Sequence, residues 1–166
     1  QLCCQGNQRF SQLCQELDVR FHRTGSLMVC FGEQGAEVLR HKYRNGLANG
    51  IPGLRLLSGA EVLELEPHLA SSVCLGLWAP TTGTVNPYEL TIAAYENALA
   101  NGCTAFMNAE VEAIERAANG YLISTSSDQF RCRAVVNAAG LFADRIQEMV
   151  APPQVRICPQ KADYYV

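Results

Sequence analysis

Glu110-Val-Glu-Ala-Ile-Glu-Arg116, Asn119-Gly120, Tyr121-Leu-Ile-Ser-Thr125 and Ala134-Val-Val-Asn-Ala-Ala-Gly140 follow one another in the second half of the chain, and their reading decides the fold. In the first, the apolar period is two: Val111, Ala113 and the stem of Glu115 fall on one face and the acids on the other, as in a half-buried strand. Asn119-Gly120 is the strongest short hairpin signal, because both residues tolerate the positive φ of a tight turn. The chain then returns through Tyr121–Thr125, turns again at Ser127-Asp128, and reads as a third strand near Phe130 to Cys132. Residues 134–140 form an apolar run ending in glycine, expected to be a buried strand feeding an amphipathic helix through Phe142, Ile146 and Met149. Pro152-Pro153 ends that helix, and Val155 to Ile157 and Tyr164 to Val166 are expected to be strands of the main sheet.

Working back from this region, the helix before it is the best-marked element. Asn86 is the N-cap, Pro87 takes the first helical position, Glu89 lies in the first turn, and Asn101-Gly102 ends it. Ser58 with Glu61 three residues on is a capping box ahead of Val62, Leu63 and Leu65, stopped at Glu66-Pro67. Strands are expected at 26–31 and 73–79, with a helix between from about Glu33 to Ala48 that turns Val38, Leu39 and Leu47 inward. Phe10, Leu13, Cys14 and Leu17 carry helical spacing, so the chain opens on a helix, with no strand and glycine-rich turn ahead of it. It reads as starting in mid-fold.

With 48% hydrophobic and 17% charged residues, this is the composition of a folded globular protein. The formal net charge of −3 is dispersed, without a run of Lys or Arg, which excludes nucleic acid and anionic membrane as main partners. No apolar stretch reaches the roughly 20 residues of a membrane span, and the polar start is no signal peptide, so a soluble, cytoplasmic protein is expected. The eight cysteines form no CxxC pair, and Cys30, Cys74 and Cys132 sit in strand-like runs; they read as reduced core thiols rather than disulfides or metal ligands. His22, His41 and His68 share no metal-ligand spacing, and GxSxG is absent, so metal and hydrolase chemistry are unsupported.

Small residues at the carboxyl end of a strand, followed by a helix N-terminus, let main chain approach an anionic ligand such as a pyrophosphate. Ala138, Ala139 and Gly140 suit that task, and they equally suit plain tight packing between strand and helix. The stretches Phe21-His-Arg-Thr-Gly-Ser-Leu27, Leu65-Glu-Pro-His-Leu69, Ala79-Pro-Thr-Thr-Gly-Thr-Val-Asn-Pro-Tyr-Glu-Leu90 and Val135-Val-Asn-Ala-Ala-Gly-Leu-Phe-Ala-Asp144 carry a resemblance. In order and spacing they are similar to the FAD-dependent glycerol-3-phosphate dehydrogenase branch of the D-amino-acid-oxidase-like superfamily.

The resemblance implies a mixed α+β and α/β fold: part of a FAD-binding Rossmann-like domain, with a three-stranded meander plus parallel strands, and an antiparallel-sheet substrate lobe. Residues 1–19 would be a helix of the FAD lobe, 20–86 part of the substrate lobe, 87–150 part of the FAD lobe, and 151–166 a return to the substrate lobe. The main chain of Val111 would reach the adenine end of FAD, and Asn137, Ala138, Ala139 and Gly140 would lie beside its phosphates. Lys161 and, more weakly, His22 would contact an anionic substrate; Ala162 stands where the family has glycine, and Lys161 equally reads as solvated surface. No residue emerges as the catalytic base. The implied activity is oxidation of a small hydroxy compound, best read as sn-glycerol 3-phosphate, with a 2-hydroxyglutarate-type hydroxy acid or an amino acid as alternatives. FAD is the expected cofactor of the whole protein. The chain by itself is expected to be an inactive folding or interaction module that holds FAD weakly and self-associates through exposed apolar surface.

Overall fold

The computed structural model describes residues 2–152 and 154–162. They form two compact units divided after Cys103.

The first unit contains α1 (Leu2–Glu16), β1 (Phe21–His22), β2 (Ser26–Cys30), α2 (Glu33–Ala48), β3 (Arg55–Ser58), α3 (Gly59–Leu65), β4 (Leu75–Ala79), β5 (Thr84–Val85) and α4 (Pro87–Ala100). Its centre is an antiparallel sheet in the order β2-β4-β3, with Leu27 opposite Trp78 and Leu57 opposite Gly76. Alternation along the strands sends side chains to two helices. Cys30, Leu77 and Leu54 pack with Ala36 and Leu39 of α2, while Leu27, Val29, Leu57 and Trp78 gather with Val62 of α3 on the other face. Gly76 lets α3 come close, since a Cβ there would lie 2.5 Å from Val62 Cγ2 and 3.1 Å from Leu27 Cδ1. The inward stripe of α2 is Ala36, Leu39 and Gly46; Val38 and Leu47 are exposed, against expectation, because the sheet meets the face one residue round the helix. The capping box forms as expected, with the Ser58 Oγ accepting from the Glu61 amide and the Glu61 carboxylate accepting from the Ser58 amide at 2.8 Å. Asn86 likewise caps α4, accepting from the amides of Tyr88 and Glu89. A further two-stranded ladder pairs β1 with β5, setting His22 opposite Thr84.

The second unit is a meander of β6 (Val111–Ala117), β7 (Gly120–Thr125) and β8 (Gln129–Cys132), then a 3₁₀ turn at Gly140–Phe142 and α5 (Ala143–Glu148). Three expectations need correction here. A bulge between Val111 and Ala113 adds one residue to β6, which turns Ile114 inward at 5% exposure in place of the Ala113–Glu115 face. Residues 134–139, expected as a buried parallel strand, are extended coil with Val136 89% exposed. All pairings among the described residues are antiparallel, and a parallel strand cannot satisfy its amides without a ladder neighbour. For the same reason 155–157 is not a strand; Tyr164 to Val166 lies outside the described residues. Among the described residues no helix is long and apolar enough to cross a membrane.

Candidate functional site

The corner at Asn137–Gly140 is held by its own asparagine. The Asn137 side-chain amide donates to the Ala143 carbonyl at 2.7 Å, and its carbonyl oxygen accepts from the Ala139 amide at 3.2 Å. The Phe142 amide closes the next turn onto the Ala139 carbonyl at 3.0 Å. Asn137 thus spans the bend from extended chain to α5, a local Asx-type bond that this residue makes readily. Gly140 has φ +55, and nothing lies within 4 Å of where its Cβ would be. Ala138 is exposed. The corner is therefore bare main chain with open space in front of it, which fits the close approach of a nucleotide's phosphates. The helix does not begin at the glycine, however: the 3₁₀ turn intervenes, and α5 starts only at Ala143.

Beside the corner is a pocket of about 200 Å³ lined by Ile114, Tyr121, Val135, Asn137, Ile146 and Val150. It brings Ile114 and Tyr121 of the hairpin ribbon beside Asn137, while Ala138, Ala139 and Gly140 do not line it. Val111 sits at the entrance of β6, opposite Thr125, and is half-buried. It does not line the pocket. Asp144, which sequence reasoning passed over, accepts from the Arg145 amide at 2.9 Å and from the Ile157 amide at 3.1 Å. The Ile157 amide is the main cause that holds its carboxyl below the ordinary range. It thereby pins the following segment to α5. Lys161 lies in that segment and is exposed.

His22 is in the other unit, exposed on β1, in a shallow hollow of about 220 Å³ shared with Arg20, Thr84 and Glu89. Arg20 and Glu89 face each other there at 3.8 Å. Its neighbour Arg23 is built in more firmly. The guanidinium donates to the Asn7 carbonyl and to the Ser11 hydroxyl, both at 3.1 Å, and also to the Thr81 carbonyl, while its face lies 5.4 Å from the Phe21 ring centroid. Arg23 ties α1 to the turn after β4, along one wall of a hollow of about 500 Å³ that includes Asn7, Ile51, Pro80 and Thr81. That larger, apolar hollow contains residues of the quoted stretches, Arg23 and Ala79 to Thr82, but none of Val111, Asn137, Ala138, Ala139, Gly140, Lys161 or His22. The open corner is the better candidate because it gathers four of the residues read from the sequence and is braced by the Asn137 side chain. Among the described residues no cluster of three or more His, Cys, Asp and Glu is placed to hold a metal ion.

The chain's mixed α/β architecture, with an antiparallel sheet in one unit and a three-stranded meander in the other, is that of a FAD dependent oxidoreductase. The chain belongs to the FAD dependent oxidoreductase family (DAO), whose model matches residues 1–166. It is 41% identical over 165 residues to the glycerol 3-phosphate dehydrogenase of Caloramator mitchellensis, covering 99% of this chain and 34% of that protein. It is 31% identical over 179 residues to the human mitochondrial L-2-hydroxyglutarate dehydrogenase, covering 98% of this chain and 38% of that one. Its fold matches the dithionite-reduced, FAD-bound L-alpha-glycerophosphate oxidase of Mycoplasma pneumoniae with a TM-score of 0.75 at 24% identity, over 89% of this chain and 40% of that chain. The chain thus spans about a third to two fifths of the length of these relatives.

Proposed function

We propose that the protein to which this chain belongs is an FAD-dependent dehydrogenase or oxidase of small hydroxy compounds, with sn-glycerol 3-phosphate oxidised to dihydroxyacetone phosphate. The observation that carries this reading is the 41% identity to a glycerol 3-phosphate dehydrogenase across almost the whole chain, ten points above the L-2-hydroxyglutarate dehydrogenase match. When bound, the flavin supplies the hydride acceptor. The chain's own share is placement. Asn137, Ala138, Ala139 and Gly140 offer main chain to the cofactor's phosphates, with the Asn137 side chain engaged in bracing the corner, and the main chain of Val111 serves the adenine end. Lys161 supplies a flexible positive charge suited to a phosphate ester or carboxylate, and His22 is a secondary candidate. In this reading residues 1–19 and 87–150 belong to the cofactor lobe, and 20–86 and 151–166 to the substrate lobe.

The second reading, a hydroxy-acid oxidoreductase, is favoured by the L-2-hydroxyglutarate dehydrogenase similarity. Anaerobic mixing of the whole flavoprotein with each compound separates them: sn-glycerol 3-phosphate bleaches the flavin absorbance, and L-2-hydroxyglutarate or glycine does not. Bleaching by L-2-hydroxyglutarate alone overturns the first reading in favour of the second. We place the protein in a reducing cytoplasm, which its free cysteines suit. Self-association of the isolated chain is supported by α4, where Tyr88, Ile92 and Leu99 are exposed and no residue is buried.

A further inference from the structure

Cys30 closes β2 and Cys74 immediately precedes β4, 44 residues apart in sequence, yet their Sγ atoms are 3.6 Å apart. Main-chain bonds hold the two residues together. The Cys74 amide donates to the Cys30 carbonyl at 3.0 Å, and the Cys74 thiol donates to the same carbonyl at 3.3 Å. The Gly32 amide points at the Cys74 sulfur from 3.1 Å. A disulfide bond is about 2.05 Å long, so closing it asks for roughly 1.5 Å of sulfur movement.

The two thiols differ in access. Cys74 is exposed, contrary to its reading as a strand-buried thiol. Cys30 is only 8% exposed, packed with Ala36 and Leu39 under α2, where even a Cβ on Gly35 would sit 2.7 Å from its own Cβ. Burial, reinforced by the neighbouring Cys74, pushes the Cys30 thiol up. This is the layout of an outer attacking thiol with an inner resolving one.

We propose that Cys30 and Cys74 are a reversible modification site, converted to an internal disulfide by exchange with a low-molecular-weight disulfide of the glutathione type. In the first step Cys74 gives its proton to solvent and its sulfur attacks one sulfur of the small disulfide; a Cys74 S–S bond forms, the small disulfide's bond breaks, and one small thiolate leaves and takes up a proton. In the second, Cys30 gives its proton to solvent and its sulfur attacks that of Cys74, expelling the second small thiolate, which is protonated in turn. Two protein thiols are oxidised and one small disulfide is reduced to two thiols; excess small thiol runs the sequence backwards. The new bond fastens the end of β2, the Gly32 turn and the start of α2 to the entrance of β4, tightening the sheet of the first unit.

The test is incubation of the full chain, under native conditions, with oxidised glutathione, then alkylation and non-reducing peptide mass analysis. The expected product is a peptide pair joined through Cys30 and Cys74, lighter by two hydrogens and separated again by dithiothreitol. In Cys30→Ser, with its fold checked by circular dichroism, Cys74 stops at the glutathione adduct. Wild-type protein that accumulates the Cys74 adduct with no joined peptide, or joins the two only after denaturation, overturns the proposal. So does a Cys30→Ser protein whose Cys74 adduct resolves as fast as in the wild type.

Discussion

Replacing Gly76 by alanine should destabilise the first unit through one identifiable contact. Gly76 is not among the glycines of positive φ, so its backbone accepts alanine without strain and the cost is steric. The added methyl would meet Val62 Cγ2 at 2.5 Å and Leu27 Cδ1 at 3.1 Å, in a cluster where Val62 is fully buried. Overpacking of this kind costs about 1–3 kcal/mol. Val62→Ala alone should cost about 2–3 kcal/mol from lost burial and the cavity left behind. Independent effects would sum to about 3–6 kcal/mol; but the truncation removes the atom the new methyl strikes, so the double variant should cost about as much as Val62→Ala by itself. The coupling is then about 1–3 kcal/mol, within the range seen for residues in contact. Trp78 is this chain's single tryptophan and packs against this cluster, so its fluorescence through a urea titration of the chain reports the transition directly. For Gly76→Ala a loss of about 2 kcal/mol also lowers Tm by roughly 4–8 °C. Strict additivity in the double variant, with unchanged urea slopes, refutes the close approach of α3 to the sheet at Gly76.

Two further outcomes are expected. Ser58→Ala removes the side-chain half of the capping box and should cost about 1 kcal/mol, read as a lower urea midpoint at unchanged slope, because α3 carries the buried Val62. The Asp144 carboxyl titrates below its ordinary value of 3.8 when folded, so its hold on the Ile157 amide is complete above that value and is lost as pH falls through the lower folded one. Hydrogen exchange at the Ile157 amide should therefore lose protection on acidification, and Asp144→Asn should flatten that dependence.

Elements whose signals are local were legible in the sequence. The cap at Asn86 with Pro87, the box at Ser58 and Glu61, and the hairpin signalled at Asn119-Gly120 each state their structure within a few residues, and each is formed, the hairpin with Ala118-Asn119 as its loop and Gly120 already paired with Ala117. Arg55–Ser58 was not legible as a strand, since four residues abutting a helix cap gain their ladder only by pairing with β4 some twenty positions away. Nor was the bulge in β6: an alternating pattern cannot reveal an extra residue that leaves composition unchanged, yet it moves the burial to Ile114. The run 134–140 carries the composition of a strand but no ladder partner among the described residues, so propensity alone did not make it one. Of the candidate site, the small-residue corner was readable as a type. Its bracing by Asn137, the tether through Asp144 and the approach of Cys30 to Cys74 were not, because each joins residues that only the fold brings together.

The most direct test of the account is the affinity of the whole protein for FAD when the corner is filled. Ala138 is exposed, so Ala138→Leu should leave the urea midpoint unchanged while pushing the cofactor's phosphates off the main chain. One charge-assisted hydrogen bond lost there, about 1.5 kcal/mol, corresponds to a roughly tenfold weaker Kd. A fall of that size or more, measured by flavin fluorescence, is what the account predicts. Wild-type affinity in a folded Ala138→Leu protein contradicts the placement of the flavin nucleotide at Asn137–Gly140.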